Sequence, residues 1–394
     1  MSDTIFIQFC YETAGRIELY YALSNGFSDT YDLCKSKGDF YWMNETSQFP
    51  IRKGTAYISC ICLDQVHKAY LWARQYPNVK FVVGGPALIA HLGYSERHIP
   101  KNMEIVKTSV EDYFGVPNFS GKWGVELPKH LLTKDIPYSL SYVVDNRCYW
   151  GKCIFCRSQG QERYECRQRK EFNYEFTNYD LGNNVMIGLN TDAITPYHIL
   201  NTIPNLPNGY DYWMFLRGDK AEIKALKEIL PNNQNKLTFC VGIEFPSERM
   251  LKEINKGVTI EDLKELIDLC LEYNIELMLY YILGWKGLTE QDEKEATEFM
   301  EWLPKSTLIR QKIGRLLCMI GTPLYDKYRY NTKLLNSKLG PFKYGYYYQL
   351  TDEENRINNR LHKMFLNTGT YILDRYDPAR PEIIGKINND EFPS

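Results

Sequence analysis

The sequence predicts an α/β protein: an N-terminal Rossmann-like domain over residues 1–130, a partial (β/α)6 barrel of the TIM type over residues 131–335, and a C-terminal extension over residues 336–394. Three observations carry this. A strand-helix-strand pattern ends in Gly84-Gly85-Pro86. After residue 140, six short apolar runs alternate with amphipathic stretches that open on capping pairs. Between these regions, residues 111–139 carry Gly115, Pro117, Gly121, Gly124, Pro128 and Pro137 and read as a linker.

In chain order, Ile5–Phe9 and Ala56–Cys62 read as strands because their β-branched and aromatic residues suit a pleated, buried surface. Asp64–Tyr76 follows as a helix with Val66, Ala69, Tyr70 and Ala73 on one stripe, and Lys80–Val83 as the next strand. The two glycines after it permit either a tight strand-to-helix turn or the close approach of a ligand at the sheet edge where open α/β folds bind. The barrel strands are expected at Tyr142–Val144, Asn184–Leu189, Tyr212–Leu216, Leu237–Ile243, Leu277–Leu283 and Gly314–Ile320. Their two-sided apolar character fits parallel strands buried between layers. The pairs Asp219 with Glu222, Thr259 with Asp262 and Thr289 with Asp292 mark helix starts, and Ile260, Leu263, Leu266, Ile267 and Cys270 share a helical stripe, so Cys270 is core. After residue 335 the pattern stops. Tyr344, Tyr346, Tyr347 and Tyr348 precede a helix over Glu353–Leu366 and a polar tail, a segment that packs on the surface, closes the barrel or touches substrate.

Composition excludes several classes. A net charge of −2 over 394 residues gives no basic face for nucleic acid. The N-terminus lacks a basic segment followed by an apolar one, and no run of 18 apolar residues occurs, so neither secretion nor membrane spanning is expected and the location expected is cytoplasmic. Eleven cysteines, an odd number scattered through apolar stretches, point to reduced, mostly buried thiols.

Three of those thiols are different. Cys148, Cys153 and Cys156 fall within nine residues, close enough to converge on one soft metal centre. Three thiolates would leave one iron of a [4Fe-4S] cluster open to a ligand. Alternatively, a zinc knuckle completed by Cys166 or a histidine would use the same loop, as a non-enzymatic binding module. In alternating strand-helix barrels the loops after the strands line the catalytic face. That rule makes candidates of the cysteine loop, Asp192, Arg217, Glu244 and the pair Gly284-Trp285. A carboxylate at the end of an apolar strand is costly to bury unpaired, so Glu244 binds a ligand or forms a salt bridge, for instance with Arg217.

The loop resembles the cluster motif of radical S-adenosylmethionine (SAM) enzymes, with Phe155 as the aromatic residue before the last cysteine. Its C-x4-C-x2-C spacing differs from the usual C-x3-C-x2-C, and its Cys-Tyr-Trp-Gly opening is similar to radical SAM proteins that mature ribosomally made peptides. The run Val82-Val83-Gly84-Gly85-Pro86 resembles the cobalamin-binding domain that precedes the barrel in one subclass. The Asp-x-His-x-x-Gly pattern by which many such domains ligate cobalt is absent, and His67 has the wrong spacing for it. The segments Val241-Gly242-Ile243-Glu244-Phe245-Pro246-Ser247, Leu251 to Gly257, Tyr281-Ile282-Leu283-Gly284 and Gly321-Thr322-Pro323-Leu324-Tyr325 are similar to later signatures of that subclass.

The resemblance implies a [4Fe-4S] cluster on Cys148, Cys153 and Cys156, with SAM chelating the open iron. Arg217 and Glu244 would meet polar groups of SAM, Gly284 would let its adenine lie against the backbone, Phe155 would belong to the same SAM site, and Asn190 or Asp192 would stand in for a missing Gly-Gly-Glu contact. Gly84 and Gly85 would face cobalamin if it is held. Reductive cleavage of SAM, fed by an electron donor such as flavodoxin or ferredoxin, would give a 5′-deoxyadenosyl radical that attacks an unactivated carbon of a peptide or small natural product. With cobalamin the outcome is C-methylation; without it, epimerisation, cross-linking or rearrangement, in which Cys318 is a candidate hydrogen donor or simply a core residue.

Overall fold

The computed structural model describes residues 3–9, 11–13, 16–23, 34–43, 48–60, 63–85, 93–94, 98–107, 113–114, 138–145, 148–156, 185–190, 192–319, 321–328, 334–339, 342–367 and 371–372. The chain divides into two compact units. The first draws on Met1–Val143, Lys170–Met186 and Ser337–Tyr344, the second on Val144–Arg169, Ile187–Asn336 and Gly345–Ser394. The predicted linker lies almost entirely outside the described residues, as do Cys166 and the polar tail.

The first unit contains β1 (Thr4–Phe9), β2 (Tyr11–Thr13), β3 (Arg16–Leu23), β4 (Asp39–Met43), β5 (Gly54–Ser59), α1 (Leu63–Gln75), β6 (Val79–Gly84), β7 (Gly93–Tyr94), β8 (Met103–Ile105) and β9 (Tyr138–Val143). Five of these strands form a parallel sheet in the order β4-β1-β5-β6-β8. Ile5, Ile7, Ala56, Ile58, Phe81 and Val83 are buried at alternate positions and meet the expected α1 stripe of Val66, Ala69, Tyr70 and Ala73. The Phe49 ring fills the space between Trp72, Tyr76 and Phe81, at centroid distances of 5.2, 4.9 and 5.1 Å. His67 is half-buried on α1.

The glycine pair at the end of β6 separates into two cases. Gly85 has φ +103°, and a Cβ there would sit 2.6 Å from Cys60 O and 2.7 Å from Cys60 N, so the turn itself demands glycine. A Cβ on Gly84 would meet nothing nearer than Val106 O at 3.5 Å, an ordinary contact. Gly85→Ala should therefore lower unfolding free energy by about 2–3 kcal/mol, and Gly84→Ala by less than about 1 kcal/mol, in urea titrations.

The remaining elements, of which β10, β16 and β17 are divided between the units and the others belong to the second, are β10 (Val185–Asn190), α2 (Pro196–Asn201), β11 (Asp211–Leu216), α3 (Lys220–Ile229), β12 (Lys236–Glu244), α4 (Glu248–Glu253), α5 (Ile260–Glu272), β13 (Glu276–Leu283), α6 (Glu290–Trp302), β14 (Ile309–Arg315), β15 (Cys318–Met319), α7 (Pro323–Tyr328), β16 (Leu334–Leu339), β17 (Phe342–Tyr348), α8 (Asp352–Asn367) and β18 (Tyr371–Ile372). Strands β11, β12, β13 and β14 lie parallel in chain order, each joined to the next through helix, as a partial barrel requires. Thr259 with Asp262 and Thr289 with Asp292 form reciprocal capping boxes on α5 and α6. Cys270 is fully buried on α5, as its stripe predicts.

Two strand expectations shift. The strand expected at Tyr142–Val144 is β9, four residues earlier at its start. The one expected at Gly314–Ile320 is β14, whose sequence Ile-Arg-Gln-Lys-Ile-Gly-Arg alternates polar and apolar residues and so hides from a search for apolar runs. Cys318 consequently sits not on a barrel strand but on the short β15, antiparallel to β17.

Candidate active site

The cysteine loop is fastened at both flanks of its first spacing. Tyr149 Oη lies 2.5 Å from Asp219 Oδ2 and 2.8 Å from Glu222 Oε1, at the start of α3. Trp150 Nε1 donates to Asn255 O at 2.8 Å, and the Asn255 carboxamide donates to Lys152 O at 3.1 Å. The Trp150 ring packs on Gly257, where a Cβ would be 2.3 Å from a ring carbon, and it carries the Arg217 and Lys152 cations, each 4.5 Å from its centroid. Further along, Ile154 N donates to Ile254 O and Leu324 N to Ile154 O. The long C-x4-C spacing thus supplies the two aromatic anchors that hold the loop.

Cys153 is buried, and Cys148 and Cys156 are half-buried. Among the described residues no three histidine, cysteine or carboxylate side chains already stand in a metal-holding arrangement, so the thiols are not drawn into a closed ligand set. The fit to an iron–sulfur cluster lies in donor type and surroundings: three thiols on one loop, beside two buried cations that offset thiolate charge. Burial pushes the Cys153 thiol up to about 11, while Lys256 and Arg217 pull it down. Metal binding would release that proton.

Behind the loop lies a carboxylate pair. Asp219 caps α3 by accepting from Ala221 N and Glu222 N, but Glu222 does not complete a capping box. Its Oε2 instead accepts from Arg217 N at 2.9 Å and Gly218 N at 2.7 Å. Burial and the Asp219 charge push Glu222 up to about 7 from an ordinary 4.5, against the Gly218 N–H, the Tyr149 hydroxyl and Arg217. Tyr149 has one proton for two carboxyl groups, so a protonated Glu222 completes the set by donating to the phenol oxygen. For an acid whose folded pKa is raised, stability is greatest below the ordinary value and is lost as pH rises through the folded one. From pH 4.5 to about 7, wild type should lose roughly 2–3 kcal/mol relative to Glu222→Gln, whose amide can donate to the same phenol, in urea titrations across that range.

Glu244 ends β12 at a register shift, with φ 61°, a left-handed conformation that strains a non-glycine residue. Its partner is Lys256, at 2.7 Å, and not Arg217, the salt bridge considered from sequence. Arg217, 3% exposed, instead donates to Lys256 O and Asp219 Oδ2. Gly284 has φ +89°, and its N–H donates to Asn358 Oδ1 at 2.7 Å. Glu354 takes Gly287 N at 2.6 Å, so α8 buttresses the loop after β13. Phe155 meets Trp285 edge-on at 5.6 Å.

Other expectations scatter. Asp192 is exposed, and the Asn190 side chain lies outside the described residues. Cys318 is fully buried, with its sulfur 3.3 Å from the Tyr348 hydroxyl that donates to it. Gly84 and Gly85 belong to the first unit. Sequence reasoning missed Lys256, Tyr149, Glu222, Asn358 and the buried pair of Asp145 Oδ1 with His198 Nε2 at 3.1 Å. Lys256, Tyr149 and Glu222 lay inside stretches already singled out, the Leu251 to Gly257 segment, the Cys-Tyr-Trp-Gly opening and the Asp219 capping pair; Asn358, Asp145 and His198 had no signal.

No protein-family model matches the sequence, and no curated protein does. Solved structures do. The chain is similar to the radical S-adenosylmethionine methyltransferase TsrM from Kitasatospora setae with cobalamin and a [4Fe-4S] cluster bound, at 12% identity and TM-score 0.58 over 97% of this chain and 92% of that one. A second TsrM structure, with tryptophan substrate and the SAM analog aza-SAM, matches at TM-score 0.55 and 12% identity over 96% and 90% of the two chains. The cobalamin-dependent SAM radical enzyme OxsB, with aqua-cobalamin and SAM bound, matches at TM-score 0.60 and 11% identity over 93% of this chain and 67% of that one. This chain therefore shares the α/β fold of cobalamin-dependent radical SAM enzymes.

Proposed function

We propose that this protein is a radical SAM enzyme that binds a [4Fe-4S] cluster through Cys148, Cys153 and Cys156 and modifies an unactivated carbon of a peptide or small natural product. The observation that carries the reading is the thiol loop beside Arg217 and Glu244, at the ends of β11 and β12, and Lys256, in the turn after α4, on a fold shared with TsrM and OxsB. When bound, the cluster supplies the electron that cleaves SAM. The chain's part is to hold and orient. Arg217 and Lys256 offer positive charge, Glu244 accepts hydrogen bonds, and Asn358 holds the backbone at Gly284, against which the Arg315 side chain packs. Buried Tyr281, Trp285 and Phe245 keep water from the strand ends.

Cobalamin-dependent C-methylation is the reading favoured for the outcome, because the structures of TsrM and OxsB hold cobalamin and Gly84 is a glycine the turn does not itself require. Cobalamin-independent epimerisation, cross-linking or rearrangement is the alternative. Anaerobic reconstitution with iron, sulfide and hydroxocobalamin, then desalting and metal analysis, tests both. About four irons and one cobalt per chain support the methyltransferase. Iron without cobalt favours the alternative, and zinc without iron overturns the proposal.

A further inference from the structure

The turn Asn255-Lys256-Gly257 follows α4, and an ordinary helix end explains part of it. Asn255 has φ 55°, and Asn255 N and Lys256 N return to Lys252 O and Leu251 O, as left-handed terminations do. Helix termination does not require the rest. The Asn255 carbonyl and carboxamide both reach the cysteine loop, at Trp150 and Lys152. Gly257, at φ +71°, leaves room for the Trp150 ring, which a Cβ there would approach to 2.3 Å.

The middle residue pairs with a strand-end carboxylate. The Lys256 ammonium is buried against Glu244 above Gly242, where a Cβ would fall 2.3 Å from Glu244 Oε1 and 2.8 Å from Lys256 Nζ. Stability alone accounts poorly for such a pair, since well-packed apolar residues commonly replace buried ion pairs without loss. Glu244 also keeps a strained backbone to reach it.

We propose that Asn255-Lys256-Gly257 is the positioning element of the site: Asn255 and Gly257 seat the cysteine loop through Trp150, and Lys256 fixes the Glu244 carboxylate against it. This rests on the radical SAM reading. One turn thereby sets the distance between the cluster and the groups that meet SAM, and residues at either flank act through it without touching the reacting atoms.

The test compares reconstituted wild type with Gly257→Ala, Lys256→Met and Lys256→Arg. Iron content, the electron paramagnetic resonance of the reduced cluster, the Kd for SAM by equilibrium dialysis and thermal melting are measured on each. Lys256→Met should still take up iron but bind SAM about tenfold more weakly, with Lys256→Arg recovering most of the affinity. Gly257→Ala should load iron but give a broadened, heterogeneous resonance, because its Cβ displaces Trp150. Should Gly257→Ala fail to fold, Asn255→Ala, which removes the bond to Lys152, takes its place with the same expectation. Wild-type resonance and Kd in both the Lys256→Met and the loop-side variant would overturn the proposal, whereas a wild-type protein that takes up no iron would instead remove the reading beneath it.

Discussion

Replacing Cys148, Cys153 and Cys156 together by alanine should abolish iron uptake and reduce SAM cleavage by on the order of a thousandfold or more, while leaving the melting temperature close to wild type. The expectation of an intact fold comes from how the loop is held. Within the second unit it is fastened through Tyr149, Trp150, Ile154 and the backbone of Lys152, by hydrogen bonds from ring, amide and backbone groups. A zinc-stabilised module would behave in the opposite way, because structural zinc contributes folding free energy directly and its loss unfolds the domain. Melting curves of the triple variant beside its iron content separate the two.

Glu244→Ala should have the largest effect on stability of any single change at the site, about 3–5 kcal/mol in urea titrations, because it leaves the Lys256 charge buried with its 2.7 Å partner removed. Pairing Glu244→Gln with Lys256→Met should recover most of that loss, since an apolar side chain needs no counter-charge. The pH dependence distinguishes this pair from the carboxylates behind the loop. Burial pulls the Lys256 pKa down, but the Glu244 carboxylate and the Cys153 thiolate outweigh it and the net direction is up. A raised lysine contributes stability that is present below its ordinary pKa and lost only as pH rises through the folded value. The contribution of the ion pair is therefore flat across neutral pH, where Glu222 is titrating.

Much of the fold was legible because it rests on local pattern. The α1 and α5 stripes and the Thr259 and Thr289 caps follow from side-chain spacing alone, and the structure places them as expected. Strand β14 was misplaced because its ladder partners, and not its own apolar content, hold it in the sheet. Strand β4 was not expected at all; its place at the sheet edge comes from pairing with β1, a non-local fact.

The site divides in the same way. Cys148, Cys153, Cys156, Arg217 and Glu244 could be read from spacing and strand ends. Their partners could not. Lys256 lies 12 residues from Glu244, Glu222 lies 73 from Tyr149, and Asn358 lies 74 from Gly284, so each pairing exists only once the chain has folded. The Asp219 and Glu222 pair shows the limit most plainly. Its spacing matched a capping box, yet Glu222 turned inward to the N–H groups of Arg217 and Gly218, where its carboxyl has stronger partners than the helix start offers.

The most direct test of the central claim is the electron paramagnetic resonance of the anaerobically reconstituted, reduced protein before and after addition of SAM. An iron–sulfur signal that shifts on SAM addition, with about four irons per chain, is the result expected of a cluster whose open iron meets SAM beside Glu244 and Lys256. A protein that takes up zinc and shows no iron–sulfur signal, or one whose signal is unmoved by SAM at any concentration, would contradict it.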